Sequence, residues 1–228
     1  MSDTPTLEQL PRTFDEWWSA PGQWVEEPNQ ARSGWSGVMR VFVGEALYYV
    51  KKQHNYSCRT WKHPFSGIPT VSREFQNILA LSLLDLPAPV PVFHGTRKSA
   101  GNRDAILVTE ALDGFVDFDH LPPLSDAQAK QLAELAGCAV GRLHRAGFRH
   151  GCLYGKHLMA KHIDSAPEIA FIDLEKLRPA IFRARAIRHD LEQLQRRQGI
   201  WNTTHWQAFL AAHECALKGQ ATASGKVY

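Results

Sequence analysis

Residues 143–158 have the sequence LHRAGFRHGCLYGKHL, and residues 171–175 have the sequence FIDLE. The first segment is unusually polar and glycine-interrupted for a connection between a helix and a strand, and functional side chains concentrate in such loops. The second segment ends an apolar strand with Asp173, which is a common way to present a carboxylate to Mg²⁺. We therefore expect chemistry in this loop and at the end of this strand.

A pair of glycines marks the beginning of a β-rich region in the N-terminal half. Gly34 and Gly37 come just before an expected strand at Val38–Val43, which turns at Gly44 into a second strand. Glycines in such a place leave backbone N–H groups free to approach phosphates. An ordinary hairpin turn is the alternative interpretation of this pair.

A lysine and a glutamate follow the glycine pair. Lys51 ends the second strand, and Glu74 lies in the helix that comes next. Because side chains alternate along a strand, Lys51 and Lys52 are expected to point to opposite faces. Glu74 could pair with Lys51, while a solvent-exposed lysine, which is favoured for Lys51 taken alone, and a surface glutamate are the alternatives.

Helical periodicity and capping residues predict the remaining elements. Capping boxes are expected at Thr13 with Glu16 and at Ser125 with Gln128. A helix that begins at Thr70 or Ser72 is expected to carry an apolar face formed by Phe75, Ile78, Leu79 and Leu83. Two further helices end the chain, and we place the boundary between a β-rich half and a mainly helical half near residues 112–114.

The composition is that of a folded protein with a sizeable core. Of the 228 residues, 44% are hydrophobic and 21% are charged, which excludes a disordered, collagen-like or disulfide-stapled chain. The formal net charge of +3 gives no indication of a nucleic-acid partner beyond local positive charge. The four cysteines form no CxxC pair and no apolar leader begins the sequence, so we expect reduced thiols in the cytoplasm.

Two basic runs lie in the sequence, one between Lys51 and Lys62 and one between Arg178 and Arg197. Local cationic surfaces favour anionic small molecules, phosphates or an anionic membrane surface. A solvated surface without a partner is the alternative interpretation.

Taken in order, these features resemble the parts of a protein-kinase-like fold. The closer resemblance is to the lipopolysaccharide kinase family (the Kdo/WaaP/InaA type), over roughly residues 30–200. Its closest stretches are REFQNI, LHRAGFRHGCLYGKHL, FIDLEKLR and IRHDLEQL. The resemblance implies one α+β, two-lobed kinase-like domain over 1–228. Its small β-rich N-lobe, with one key helix, would span about 1–112, and its reduced, mainly helical C-lobe about 113–228.

The resemblance implies an ATP-dependent phosphotransferase and assigns nucleotide-binding roles to residues of the first half. Gly34 and Gly37 would cover the nucleotide phosphates. Lys51 would contact the α- and β-phosphates and would be held by Glu74. The backbone of the segment from Glu110 to Leu112 would receive adenine.

The same resemblance implies a metal site and a structural carboxylate in the second half. His157 stands where typical kinases have the catalytic-loop asparagine, and DLE at residues 173–175 replaces the DFG motif. His157 and Asp173 would hold Mg²⁺, and Asp190 would tie down the backbone of the catalytic loop.

The sequence departs from the kinase pattern at Cys152, which stands where kinases have the aspartate that orients the acceptor hydroxyl and receives its proton. A thiol is a poor hydrogen-bond acceptor, yet the loss of a general base need not abolish a reaction that depends on positioning. Cys152 itself, His150, Asp173 or a residue outside the loop could take this role. The alternative function is a pseudokinase, a kinase-fold protein that binds nucleotide or a partner without transferring phosphate.

The acceptor expected from the resemblance is lipopolysaccharide core sugar, a heptose or Kdo. Only 17 positions separate Asp173 from Asp190, which leaves little room for the activation segment on which protein kinases dock peptides. An anionic sugar or glycolipid acceptor would suit the basic runs, with a peripheral contact at the cytoplasmic face of the inner membrane as a further expectation.

Two other chemistries remain open for the polar loop. His150, Cys152 and His157 could bind a transition metal, although their spacing matches no common structural site. Cys152 could also act as a covalent nucleophile activated by His150, although no third orienting group is evident.

Overall fold

The structure, a computed structural model, describes residues 10–31, 33–60 and 63–220. These residues divide into two units. The first comprises the described residues up to Leu79 together with Pro89–Leu112, and the second comprises Ala80–Ala88 and the described residues from Asp113 onwards. Lys62, the last cation of the first basic run, lies outside the described residues.

Strands dominate the chain up to residue 110. Five of them form an antiparallel sheet in the order β1-β2-β3-β7-β6, and β4 pairs with β5 in a separate ladder. The elements are α1 (Phe14–Ser19), β1 (Gln23–Ala31), β2 (Gly34–Val43), β3 (Ala46–His54), β4 (Ser57–Thr60), β5 (His63–Pro69), α2 (Thr70–Ser82), β6 (Pro91–Ser99) and β7 (Asn102–Glu110).

One face of the five-stranded sheet packs against α1. The predicted capping box of Thr13 and Glu16 opens this helix and is confirmed. Trp17 of this helix is fully buried and packs against every second residue of the central strands. This core contains Met39, Val41, Tyr48, Val50, Ile106 and Val108.

Helices dominate the second unit. Its elements are β8 (Val116–Asp117), α3 (Asp126–Arg145), β9 (Phe148–Arg149), β10 (Leu158–Lys161), β11 (Glu168–Phe171), β12 (Arg178–Pro179), α4 (Arg183–Arg197) and α5 (Thr203–Lys218). Short 3-10 helices lie at Gly155–His157 and Leu174–Lys176. The capping box of Ser125 with Gln128 and the two C-terminal helices are confirmed.

The long helix α3 packs closely on α5 because two glycines leave room for its backbone. A side chain at Gly141 would place its Cβ 2.5 Å from the carbonyl oxygen of His213, and one at Gly137 would collide with the carbonyl oxygen of Phe209. This close approach fixes the helices that support the polar loop of residues 146–157. Among the described residues, no helix is long and apolar enough to cross a membrane.

Two predictions about the first half are wrong in detail. Gly34 and Gly37 do not precede the strand but lie within β2, opposite Ala31 and Lys52. The apolar face predicted for α2 is only partly buried, because Leu79 is 43% exposed and Leu83 lies beyond the helix and is 88% exposed. Val71, Ile78 and Leu81 are the buried apolar residues of this helix.

Candidate active site

The candidate residues of the first unit centre on an ion pair. Lys51 Nζ lies 2.7 Å from Glu74 Oε2, with the side chains only 19% and 11% exposed. Lys52 lies on the opposite face of β3 as alternation predicts, and its ammonium donates to the carbonyl oxygen of Trp18 at 2.6 Å. Burial lowers the pKa of Lys52. The two adjacent lysines are therefore held by different elements, and only Lys51 faces α2.

The two glycines of β2 are required by close packing. A Cβ at Gly34 would collide with the carbonyl oxygen of His54, and a Cβ at Gly37 would lie 2.6 Å from the ring of Trp24. Gly34 pairs with Ala31 where β1 and β2 meet, so it lies at the end of this hairpin. The ordinary hairpin interpretation thus accounts for both glycines, while the position of Gly34 at the hairpin end is compatible with an approach to phosphates.

The segment expected to receive adenine follows β7. The N–H of Glu110 donates to the carbonyl of Val90 at 2.9 Å, and the N–H of Ala111 donates to the carbonyl of Leu47 at 3.0 Å. Leu112 is the last residue of the first unit. These hydrogen bonds anchor the beginning of the segment, so Leu112 is the residue at which it leaves the sheet.

In the second unit, Asp190 of α4 holds the polar loop by its backbone. Its carboxylate accepts from the N–H of His150 at 2.7 Å and from the N–H of Gly151 at 3.0 Å. Burial alone would raise the pKa of Asp190, but the hydrogen bond from His144 and these backbone N–H groups lower it below its ordinary value. The buried carboxylate is therefore ionised and fixes the loop at the residues just before Cys152.

A histidine pair supports this carboxylate from behind, and the sequence did not reveal it. His144 Nε2 lies 3.3 Å from Asp190 Oδ2, and His144 Nδ1 lies 2.8 Å from His213 Nε2. Since Asp190 only accepts, His144 donates to it through Nε2, and in the neutral ring of His144 the Nδ1 accepts from His213. Burial and the nearby His144 lower the pKa of His213 to about 4. The two histidines are 69 positions apart in the sequence, on α3 and α5, so no local pattern links them. Each one alone has the pattern of a histidine packed on an apolar helix face.

His157 and Asp173 come together at the end of the polar loop. The Nδ1 of His157 donates to the carbonyl of Cys152 at 2.7 Å, because a carbonyl can only accept. In the neutral ring, Nε2 then carries the lone pair, and it lies 3.4 Å from Asp173 Oδ2. Asp173 has the left-handed backbone conformation, with φ of 55°, between β11 and the 3-10 helix at Leu174–Lys176. The structure therefore presents one imidazole nitrogen and one carboxylate side by side.

Two residues that sequence reasoning missed surround the thiol of Cys152, whose residue is only 4% exposed. Interaction with the Cys152 side chain raises the pKa of Lys176. Burial and interaction with Cys152 raise the pKa of Tyr154. Lys176 was visible in the quoted FIDLEKLR stretch, but only the fold places it against the loop.

His150 takes a structural position. It is fully buried, and its Nε2 donates to the carbonyl of Ile172 at 3.1 Å. Burial and the nearby His157 lower its pKa to about 4, so the ring is neutral at pH 7. A fully buried ring cannot take a proton from an acceptor in solvent, so the structure argues against His150 as the substitute base.

The geometry also argues against a transition-metal site in the polar loop and against Cys152 as a nucleophile activated by His150. His150 and His157 stack with ring centroids 6.0 Å apart, and each directs one nitrogen to a backbone carbonyl. Within the described residues, no group of three or more His, Cys, Asp or Glu side chains could hold a metal ion. The described residues therefore do not form the transition-metal site that His150, Cys152 and His157 could have made, and the His150 nitrogen that has a hydrogen-bond partner bonds the carbonyl of Ile172, not the Cys152 thiol.

Comparison with known proteins identifies the family and the fold of this chain. A sequence model of the lipopolysaccharide kinase (Kdo/WaaP) family matches residues 15–213. The protein InaA of Escherichia coli (strain K12) is 35% identical over 189 residues, which cover 80% of this chain and 87% of InaA. The structure of WaaP in complex with acyl carrier protein has 22% sequence identity and a TM-score of 0.67, covering 88% of this chain and 81% of that chain. This likeness shows the kinase-like fold, and the family match shows that the chain belongs to the lipopolysaccharide kinase (Kdo/WaaP) family.

Proposed function

We propose that this protein is a cytoplasmic, ATP-dependent phosphotransferase whose acceptor is a sugar hydroxyl of an anionic glycolipid, of the heptose or Kdo type found in lipopolysaccharide core. The observation that carries the proposal is the pairing of His157 Nε2 with Asp173 Oδ2 at 3.4 Å. The hydrogen bond from Nδ1 to the Cys152 carbonyl orients the imidazole so that its other nitrogen faces the carboxylate. Such an orienting bond on the second nitrogen is typical of histidines that bind metal ions.

The donor set fits a divalent cation shared with a nucleotide. Mg²⁺ in phosphotransferases is usually bound by one or two carboxylates together with substrate phosphates and water. Asp173 would supply the carboxylate and His157 an additional nitrogen ligand. When bound there, Mg²⁺ would neutralise charge on the phosphates.

The ion pair of the first unit supports a nucleotide site. Glu74 holds the Lys51 ammonium in one place at 2.7 Å, in a largely buried position where its charge is poorly screened by water. Lys51 would contact the α- and β-phosphates of ATP. The backbone from Glu110 to Leu112 would receive adenine, and the hairpin end at Gly34 would lie over the phosphates.

Cys152 occupies the position of the general base. We assign the orientation of the acceptor hydroxyl to this side chain, because Lys176 and Tyr154 both interact with it. The acceptor oxygen attacks the γ-phosphorus, the bond to the bridging oxygen breaks to release ADP, and the hydroxyl proton passes to water. Asp190 holds the loop still during this step through the N–H groups of His150 and Gly151.

A direct transfer assay tests the proposal. The protein is incubated with Mg²⁺, ATP labelled at the γ-phosphate and lipopolysaccharide whose core has been dephosphorylated. We expect label in the lipopolysaccharide with the wild type and at least a hundredfold less with Asp173→Asn. Asp164→Asn, an exposed aspartate in the loop between β10 and β11, is the matched control and should leave transfer unchanged. Equal transfer by wild type and Asp173→Asn would contradict the proposal.

A second candidate function, nucleotide binding without transfer, is favoured by the burial of the Cys152 thiol, whose residue is only 4% exposed. The substitution Cys152→Asp discriminates between the two functions. If the wild type transfers phosphate and the aspartate lowers that rate, Cys152 belongs to an adapted active site. If transfer appears only with the aspartate, the natural protein is a pseudokinase.

A further inference from the structure

Two adjacent apolar side chains protrude from the second unit just before α4. Ile181 is 87% exposed and Phe182 is 75% exposed. Phe182 has a non-helical backbone and caps the N-terminus of α4 without a side-chain hydrogen bond, so the pair lies at the end of a helix rather than along its packed face. Isolated exposed apolar residues are common, but two large ones at a helix entrance form a contiguous patch.

The patch is surrounded by positive charge. Between residues 176 and 189 the sequence contains five cations and no acidic residue. Arg185 and Arg188 are exposed and lie three positions apart, on one side of α4. We call Ile181, Phe182 and the exposed Arg178, Arg183, Arg185 and Arg188 the α4 entry surface.

Apolar surface continues from this patch along the helix. A shallow groove of about 420 Å³ begins at Ala184 and extends between α4 and α5. Its apolar lining is Ile187, Leu191, Trp206 and Leu210, and its polar lining is Arg188, Glu192 and Gln195. Arg188 Nε lies 3.9 Å from Glu192 Oε1, an exposed pair that is worth little and leaves Arg185 without this partner. The α4 entry surface therefore joins an apolar strip to a row of arginines.

We propose that the α4 entry surface docks on an anionic lipid bilayer, with Ile181 and Phe182 inserted at the level of the headgroups. Apolar side chains that protrude beside arginines suit an interface where hydrocarbon lies directly beneath negative charge. The exposed fractions of 87% and 75% describe side chains that project outwards, as insertion requires. An anionic membrane supplies both complements at once, because its surface attracts the arginines and its interior accepts the apolar pair.

This docking would deepen the proposed function by holding the enzyme at the surface where a glycolipid acceptor resides. Its test is independent of that function, because vesicle binding is measured without ATP and without any transfer reaction. A failure of docking would leave the transfer assay unaffected, and a failure of transfer would leave the docking measurement unaffected.

The experiment is sedimentation of the full chain with vesicles of phosphatidylcholine containing 30% phosphatidylglycerol, and with vesicles of phosphatidylcholine alone. We expect binding to the anionic vesicles, little binding to the neutral ones, and weaker binding as salt is raised. Ile181→Ser with Phe182→Ser should lower the partition coefficient at least tenfold. Arg185→Gln with Arg188→Gln should lower it by about 25-fold, since each cation near such a surface contributes roughly fivefold.

Two matched controls separate the surface from general charge and hydrophobicity. Leu83→Ser removes another exposed apolar residue, and Lys130→Gln with Lys218→Gln removes two exposed cations of α3 and α5. Both controls should bind like the wild type. Failure of the wild type to bind anionic vesicles, or equal binding by the Ile181 and Phe182 variant, would overturn the proposal. Binding of an acidic protein such as acyl carrier protein at this surface, without vesicle binding, would also overturn it.

Discussion

The ammonium of Lys51 lies 2.7 Å from Oε2 of Glu74, so that strand β3 and helix α2 are joined by a charge pair within the first unit. Both side chains are largely withdrawn from water, at 19% and 11% exposure. A carboxylate that holds a lysine in one rotamer lowers the entropy that the lysine would lose on binding a phosphate. The pair would therefore prepare Lys51 for the proposed contact with a nucleotide phosphate.

The Lys51–Glu74 pair should affect nucleotide affinity as a unit. We expect Lys51→Met to weaken Mg-ATP binding by about 1.5–3 kcal/mol, the range for a hydrogen bond to a charged group. Glu74→Gln should weaken it less, because the cation remains but loses its position. The double variant should be no weaker than Lys51→Met alone, since the two residues act through one contact.

Isothermal titration calorimetry with Mg-ATP measures this prediction. Lys98→Met, which removes an exposed lysine from β6 of the same sheet, is the matched control and should bind like the wild type. Additive losses in the double variant would show that Glu74 does not act through Lys51.

Gly34 should tolerate substitution worse than Gly37. A Cβ at Gly34 meets the backbone of His54, which cannot move without breaking the β2–β3 ladder, whereas a Cβ at Gly37 meets the partly exposed ring of Trp24. We expect Gly34→Ala to cost about 1–3 kcal/mol of unfolding free energy, typical of overpacking, and Gly37→Ala to cost less. Urea denaturation measures both, with Gly199→Ala as the control because its Cβ would meet no atom within 4 Å. Equal stability of the Gly34 and Gly199 variants would contradict this packing account.

The buried histidines should make stability depend on pH between about 4 and 6.5. An unfolded histidine titrates near 6.5, whereas burial lowers the pKa of both His213 and His150 to about 4. In this window the unfolded state binds more protons, so the free energy of unfolding rises with pH and falls on acidification. Each histidine contributes at most about 1.4 kcal/mol per pH unit.

His213→Gln tests this dependence because glutamine can still donate to His144 Nδ1 but does not titrate. Denaturant unfolding at several pH values from 4.5 to 7 should give a shallower slope for the variant, with the contribution of His150 remaining. If the free energy of unfolding depended on pH equally in the variant and the wild type, the folded protein would not hold His213 as a neutral ring.

Asp190 should control the polar loop without contacting a substrate. Asp190→Asn replaces one acceptor oxygen with an NH₂ group that cannot accept from the loop N–H groups, so one buried donor loses its partner. We expect a loss of about 1–3 kcal/mol in stability and a lower transfer rate with little change in ATP affinity. Denaturation, calorimetry and the transfer assay measure the three effects. A large loss of ATP affinity with unchanged stability would contradict the positioning role.

Local sequence signals predicted the capped helices, because a capping box such as Thr13 with Glu16 depends only on residues three positions apart. Strand β1 was not predicted because its sequence, QWVEEPNQA, contains a proline and does not alternate clearly between apolar and polar residues. Its pairing with β2 is also irregular, with two shifts of register. Without β1, the packing of Gly37 against Trp24 could not be foreseen. The contact of Lys176 with Cys152 depends on the turn at Asp173, whose left-handed conformation is a property of the folded chain.

The melting temperature with and without millimolar Mg-ATP tests most directly the proposed roles of Lys51 in nucleotide binding and of Asp173 in Mg²⁺ binding. A ligand at about 100 times its dissociation constant stabilises a protein by roughly 2.7 kcal/mol, which for a chain of this size is a shift of about 5–10 °C. We predict a Mg²⁺-dependent shift of this order for the wild type and its loss in both Lys51→Ala and Asp173→Asn. No shift of the wild type at any Mg-ATP concentration, or an equal shift in both variants, would contradict the account.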